Sequence, residues 1–234
     1  RPDRSQFFDV PWITCDNGQA SPFYGNCYAI WTDDWHGGLL HAYTSSDGGL
    51  TWTRGRIEPN QHCVGHPTEV VQPNGNVVIG FTEECETYRG RTIISTDGGA
   101  SYVGPFRIPS FDARAPAGHL RAAPIPPSRR FDVDAAGRIY SAWNDCAFRR
   151  LEEGVCVHNA IVMSTSDDGR HWTDMMRIPI DPVTSSADHF LPAIAVDPET
   201  SSDSAHIAIV YYFHPEQWCD ERTCQLYVGL VSSV

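Results

Sequence analysis

The 234-residue sequence lacks any apolar run that approaches the roughly 20 residues of a membrane-spanning helix. It contains no N-x-S/T glycosylation sequon and no CxxC spacing typical of a metal site. Basic residues are scarce, with 17 Lys and Arg against 29 Asp and Glu, and the formal net charge is -12. That charge argues against nucleic acids and anionic membranes as partners. We therefore expect neither a membrane span nor a nucleic-acid partner.

The eight cysteines are grouped in four local pairs. No secretory signal peptide is visible, so the chain is either cytosolic or already processed. An even number of closely spaced cysteines favours disulfides formed in an oxidising compartment over free thiols in the cytosol. We therefore predict a secreted or extracellular protein with the bridges Cys15–Cys27, Cys63–Cys85, Cys146–Cys156 and Cys219–Cys224.

Short runs rich in aromatic and β-branched residues recur along the whole chain, and no helical period competes with them. Examples are NCYAIWTD, GNVVIGFTE, GRIYSAWND and AHIAIVYYF. Each unit of about 50 residues contains four such runs, which predicts an all-β β-propeller of four-stranded antiparallel blades. The expected single domain, 1–234, has blades at about 1–56, 57–108, 109–179 and 180–234, the last incomplete.

One motif, S/T-x-D-x-G-x-x-W/Y, occurs three times between the third and fourth runs of a unit. Its aspartates are Asp47, Asp97 and Asp167, and Asp side chains in turns accept backbone N–H groups. The motif resembles the Asp box, or BNR repeat, of sialidase-like propellers. The resemblance implies that these aspartates are structural and lie on the face away from the active site. It also implies six or seven blades, with the remainder supplied by the same longer chain or a partner chain.

In an antiparallel blade, the loops between strands two and three share one face with the loops between blades. These loops are the long ones in this sequence, and three of the four predicted disulfides fall in them. Disulfides that stiffen one face suggest a binding surface of defined geometry. Stabilisation of exposed loops alone is the alternative.

Three units end their second strand with an acid: Asp33, Glu83 and Asp145. Glu83 and Asp145 are the predicted acid and base of glycosidic-bond cleavage, with His66 as a further proton carrier. The same acids could instead hold Ca²⁺ or pair with arginine. The predicted substrate-binding residues are the cations, histidines and aromatic rings of the same loops: Arg91, Arg121, His119, His189, Tyr88, Trp35 and Trp218.

Two classes of function follow. The first is a carbohydrate-active enzyme on acidic glycans, a sialidase-like glycosidase or, as a lesser alternative, a polysaccharide lyase. The second is a non-catalytic glycan-binding or surface propeller. The three arginines, Tyr–Glu pair and acid/base Asp of sialidases have no recognisable match here, so the resemblance supports the fold more than the reaction. A glycan is the expected partner, and no cofactor is expected, apart from a possible Ca²⁺.

Overall fold

The computed structural model describes residues 7–85, 88–109, 128–149, 151–152, 155–156, 158–216, 219 and 222–233, with only the backbone of 151–152 and 155–156. It confirms the all-β class. Four antiparallel sheets follow one another as the blades of a propeller, and the helical content described is two short 3-10 turns. No helix in these residues is long and apolar enough to cross a membrane.

The first two blades each form a meander. Blade 1 contains β1 (Phe8–Cys15), β2 (Cys27–Asp33), β3 (Leu39–Ser45) and β4 (Thr53–Arg54), in that spatial order. Blade 2 contains β6 (Val64–Val71), β7 (Val77–Glu83), β8 (Arg89–Ser95) and β9 (Ser101–Arg107). The short β5 (Arg56–Ile57) pairs in parallel with β9 and so belongs to the second sheet, across the boundary predicted after residue 56.

Blade 3 repeats the order with β10 (Arg130–Val133), β11 (Ile139–Asp145), β14 (Ala160–Ser166) and β15 (Met176–Arg177). A small hairpin of β12 (Leu151–Glu152) and β13 (Val155–Cys156) extends from its loop between strands two and three. Blade 4 has three described strands, β16 (Asp188–Val196), β17 (Ile207–His214) and β18 (Tyr227–Ser232). The fourth blade thus lacks an outer strand among the residues described.

The core lies between successive blades rather than within one sheet. β7 and β11 are buried almost along their whole length, because each has a neighbouring blade on both faces. Tyr28 and Ile30 of blade 1 pack with Phe81 and Ile93 of blade 2. The next layer joins Val78 and Ile94 to Phe131 and Trp143, and two further clusters join blades 3 and 4.

The repeated motif forms the turns between strands three and four. In the first turn, Asp47 Oδ1 accepts the Ser45 hydroxyl at 2.8 Å and the Thr51 N–H at 2.9 Å. Asp97 makes the same two contacts with Ser95 and Ser101.

The third turn differs from the prediction by one residue. Asp168, not Asp167, accepts the N–H groups of Arg170 and His171, each at 2.8 Å. Asp167 is displaced outward and pairs with Arg138 at 2.8 Å. The physical reason is that Ser166 Oγ accepts the Gly169 N–H three residues on, so the turn is one residue tighter than the first two.

The disulfides Cys15–Cys27, Cys63–Cys85 and Cys219–Cys224 are formed as predicted. Cys63–Cys85 joins the loop before β6 to the loop after β7, as expected from the strand order. Cys15–Cys27 ties β1 to β2 at the opposite end of the sheet. The predicted pairing of Cys146 with Cys156 involves a side chain outside the described residues, and it stays a prediction.

Candidate functional site

The acids predicted at the ends of the second strands are already engaged by the protein. Glu83 Oε2 forms an ion pair with Arg91, with both Nε and Nη2 at 2.8 Å. Asp145 is fully buried, where Oδ2 accepts the Trp143 indole N–H at 3.2 Å and Oδ1 accepts the Ala147 N–H at 2.7 Å. The buried Arg129 guanidinium lies 3.8 Å from the Trp143 ring centroid. Burial lowers the pKa of Arg129 to about 9, and nearby Asp145 opposes that shift.

Asp33, the equivalent acid of blade 1, caps a short turn. Its carboxylate accepts the His36 N–H at 3.3 Å and lies 2.6 Å from His36 Nδ1. This capping orders the 3-10 turn Asp34–His36, which carries the next acid outward. The residue that follows the second strand, rather than the residue that ends it, therefore faces the open end of the blade.

Glu84 holds the equivalent position in blade 2, directly after β7. Its N–H donates to Cys63 O at 2.7 Å, so the backbone beside the Cys63–Cys85 disulfide fixes its position. The Glu84 carboxyl lies against Gly65, where a Cβ would overlap Oε1. Residue 65 must therefore lack a side chain for Glu84 to take this place.

Five charged or titratable residues come together at this end of the inner strands, and we call them the mouth cluster. They lie at the starts of β1, β6 and β10 and after the ends of β2 and β7: Asp9, Asp34, His66, Glu84 and Arg130. Electrostatic interactions connect His66 with Asp9, Asp34 and Arg130, and Glu84 with Asp34. The cluster thus draws residues from three blades to one end of the channel.

A repeated backbone feature shapes this end. Val10, His66 and Leu191 have φ of 49°, 49° and 47°, and each precedes a proline at a register shift of its inner strand. Such left-handed conformations are uncommon for residues other than glycine and cluster at functional sites. A β-bulge re-aims the side chain at its position, which accounts for His66 joining the cluster.

The cluster holds a carboxyl and an imidazole whose pKa values are displaced toward each other. Burial raises the pKa of Glu84 to about 7, and Asp34 adds to the shift. Burial lowers the pKa of His66, and Arg130 acts in the same direction. Near neutral pH, Glu84 is therefore available as a proton donor and His66 as a neutral acceptor.

Arg130 is the cation of the cluster. Its guanidinium lies 5.5 Å from the Trp12 ring centroid, across the channel between equivalent strand positions of blades 3 and 1. No hydrogen-bond or ion-pair partner of Arg130 is present among the described residues, and its Nη1 is buried. Burial lowers the pKa of Arg130. A half-buried guanidinium without a carboxylate partner is suited to an anionic ligand.

The other predicted site residues have different surroundings. Trp35 and Tyr88 are exposed on the same face, with 65% and 41% of their surface accessible. His189 is buried, with Nδ1 2.9 Å from Arg149 Nη2, and its pKa is lowered to about 4 by burial. It serves a buried network that includes Asp181 rather than the open face, because the loop before β16 covers it. Arg121, His119 and Trp218 lie outside the described residues.

A channel cavity of about 740 Å³ lies between the inner strands. Its walls include Trp12, Glu69, Phe131 and Ile194, and it extends toward the loops between strands one and two, at the end that carries the Asp turns. The mouth cluster lies at the opposite end of these strands. We place the candidate site at the mouth cluster, because Glu84, His66 and Arg130, whose pKa values are displaced by burial, come together there. Among the residues the structure describes, Arg130 has no hydrogen-bond or ion-pair partner.

Sequence reasoning predicted His66 of this cluster and missed Asp9, Asp34, Glu84 and Arg130. The signals were the second acid in WTDD and FTEE and the repeated x-Pro in DVPW, GHPT and FLPA. The double acid shows that two carboxyls are available, but the face that each one occupies depends on where the strand ends. That end is set by the 3-10 turn after Asp33 and by the disulfide beside Glu84.

Neither a protein-family model nor a curated protein sequence matches the chain. Solved structures do match it. The GH93 α-L-arabinofuranosidase of Fusarium graminearum has a TM-score of 0.59 at 12% identity, over 98% of this chain and 64% of that one. The intramolecular trans-sialidase of Ruminococcus gnavus has a TM-score of 0.51 at 11% identity, over 92% and 42%.

A polysaccharide lyase, an ulvan lyase, has a TM-score of 0.53 at 11% identity, over 89% of this chain and 48% of that one. This chain thus spans less than two thirds of the length of each of these three structures. At such identities the likeness shows a shared fold. The structural neighbours of this chain include β-propeller carbohydrate-active enzymes.

Proposed function

We propose that the chain acts on glycans and that the mouth cluster cleaves the glycosidic bond. The observation that carries the proposal is the pair Glu84 and Asp34: one half-buried carboxyl whose pKa is raised to about 7 by burial and by the charge of a second, exposed carboxyl. Glycosidases use two carboxyl groups in such unequal environments. The carbohydrate-active neighbours support the same class of substrate.

In this mechanism the protonated Glu84 donates its proton to the glycosidic oxygen as the leaving sugar departs. Asp34, whose carboxylate is exposed, assists from the other side of the sugar as nucleophile or as base for water. His66 accepts or relays a proton, because its lowered pKa leaves the ring neutral. Glu83 and Asp145 order the loops that hold these groups, through Arg91 and the buried Trp143–Arg129 stack.

The substrate class that we infer is an acidic glycan. Arg130 provides a positive charge that has no hydrogen-bond or ion-pair partner among the described residues, and Trp12 beside it offers a ring face for a sugar. An arginine without a carboxylate partner gains more from an anionic sugar than from a neutral one. The formal charge of -12 gives no general attraction for anions, so selectivity depends on this local cation.

A second candidate is a glycan-binding propeller without catalysis. The exposure of Trp35 and Tyr88 on the same face favours it, because exposed rings stack on sugars without a need for carboxyl chemistry. We also propose that the protein is secreted, in keeping with its three described disulfides, and that further blades of the same chain or a partner chain complete the propeller.

The test is to incubate the purified protein with paired neutral and acidic oligosaccharides. New reducing ends without an ultraviolet-absorbing unsaturated sugar would identify hydrolysis, and new reducing ends together with such a sugar would identify a lyase. Arg130→Met should weaken the response to acidic members while leaving neutral ones unchanged. Binding without new products would favour the second candidate. The absence of both binding and cleavage across the whole panel would refute the glycan proposal.

A further inference from the structure

A group of buried polar side chains between blades 1 and 2 takes no part in the mouth cluster. It consists of Tyr28, Thr44, Glu69 and Tyr102, and we call it the Glu69 cluster. Both carboxylate oxygens of Glu69, the two phenol hydroxyls and the Thr44 hydroxyl are buried without a hydrogen-bond partner among the described residues. Glu69 and Tyr102 are each 2% exposed and Tyr28 is 0% exposed. Buried polar atoms are nearly always satisfied, so these five oxygens require an explanation.

Strand register and packing bring these side chains to the interface between blades 1 and 2, where Tyr28 and Tyr102 belong to the same core cluster. Tyr28 pairs across the sheet with Thr14 and Thr44, so all three point to the same face of blade 1. The Thr14 hydroxyl donates to Glu69 O at 3.3 Å, which shows that this face meets blade 2. Gly99 of blade 2 packs against Thr44 and the Tyr28 ring.

The side chains also interact electrostatically. The charge of Glu69 raises the pKa of both Tyr28 and Tyr102, and the Tyr28 phenol raises the pKa of Tyr102 as well. The Thr14 N–H lowers the pKa of Glu69 and so offsets part of the effect of burial, but it does not reach hydrogen-bonding geometry with the carboxyl. The Asn26 side chain likewise lowers the pKa of Tyr28, but it does not reach hydrogen-bonding geometry with the Tyr28 hydroxyl.

The equivalent positions in the other blades show that a carboxyl is not needed to pack an interface between blades. By strand register, Phe131 of blade 3 and Ile194 of blade 4 take the place of Glu69. Phe131 packs there against Val78 and Ile94, which replace Tyr28 and Thr44. An apolar layer thus serves the interface between blades 2 and 3, whereas the interface between blades 1 and 2 has an acid and hydroxyls.

We propose that the Glu69 cluster binds a metal cation that prefers oxygen ligands, with sodium as the expected ion. All five unpartnered atoms are oxygens, which suit hard cations. One carboxylate and three hydroxyls supply a single negative charge, which a monovalent ion balances. Glu69 also lines the channel cavity, so an ion reaches the cluster from the channel. The ion satisfies the two buried carboxylate oxygens, which have no hydrogen-bond partner among the described residues.

Thermal unfolding at matched ionic strength tests the site. The wild type is compared in choline chloride and in sodium, potassium or calcium chloride at pH 9, where Glu69 is ionised because its pKa, raised by burial, is about 8. A saturating ion should raise Tm by about 5 °C or more over choline. Glu69→Gln should abolish the shift. Glu58→Gln, a matched change at an exposed carboxyl, should retain it.

Calorimetry uses the wild type alone, so its result does not depend on whether a variant folds. At pH 7 Glu69 is mostly protonated, so binding of the ion should release close to one proton, measured from the heats in two buffers. A calcium response that Glu69→Gln abolishes would support the same site with a different ion. Equal Tm shifts in all three proteins, or no shift with any cation and no proton release, would overturn the proposal.

Discussion

At the scale of single residues, the proposed site depends on carboxyls whose environments differ although they are neighbours in sequence. Glu83 pairs with Arg91, whereas Glu84 is half-buried with a pKa raised to about 7. An acid with a raised folded-state pKa holds its proton longer in the folded than in the unfolded chain. Its contribution therefore makes stability fall as pH rises from about 4.5 to about 7, with no further change above that range.

Glu84→Gln should consequently raise the Tm relative to the wild type above pH 7, and the difference should shrink toward pH 5. Glutamine keeps the shape and removes the buried charge. Differential scanning calorimetry from pH 5 to 9 measures this. A difference that is constant with pH would contradict the raised pKa.

The Asp turns give a second prediction at this scale. Ser95 is 0% exposed, and its hydroxyl donates to Asp97 and accepts the Gly99 N–H, both at 2.8 Å. Ser95→Ala leaves that buried N–H without an acceptor and should lower the free energy of unfolding by about 1–2 kcal/mol. Thr96→Ala, an exposed neighbour, is the control. Glycan cleavage per folded molecule should persist, and its loss at unchanged stability would reverse the assignment of faces.

At the scale of elements, the strands were predictable from the sequence, and the turns were predictable to within one residue, because each depends on residues close together in the chain. The alternation of apolar residues and the repeated Ser–Asp–Gly pattern are both local signals. The candidate site was less predictable. Whether Glu83 or Glu84 faces the channel depends on the end of β7, which the distant Cys63 helps to fix. Arg130 joins the cluster only because blade 3 lies opposite Trp12.

The Cys63–Cys85 disulfide is the element that ties this site together. Replacing both cysteines by alanine should lower stability by about 3 kcal/mol, as expected for a loop of 22 residues. It should also impair cleavage, because Glu84 loses its anchored neighbour. The pair Cys15 and Cys27, at the other end of the sheet, is the matched control and should lower stability alone. Equal effects of the two pairs on cleavage would show that the bridge has no special role in the site.

At the scale of the whole molecule, the two outer blades present apolar faces to solvent. Val228 and Leu230 of β18 are 64% and 70% exposed, as are Phe8 and Ile13 of β1 at 51% and 62%. Exposed strand edges and apolar sheet faces promote association unless another element covers them. This is the physical basis for our proposal that further blades complete the propeller.

Leu230→Lys should therefore reduce the binding of a hydrophobic dye and the light scattering of concentrated solutions of this chain. Leu50→Lys is the control, since Leu50 is 84% exposed on an Asp turn and away from the sheet faces. If the two variants behave alike, the outer face of blade 4 does not drive association.

The central claim is that Glu84, and not the adjacent Glu83, acts as the acid of the mouth cluster. The most direct measurement is the initial rate of cleavage of the best acidic oligosaccharide by the wild type, Glu84→Gln and Glu83→Gln at pH 6. Loss of a general acid should reduce the rate of Glu84→Gln by about 100-fold or more. Glu83→Gln should stay within a few-fold of the wild type. A wild-type rate in Glu84→Gln, or a larger loss in Glu83→Gln, would contradict the account.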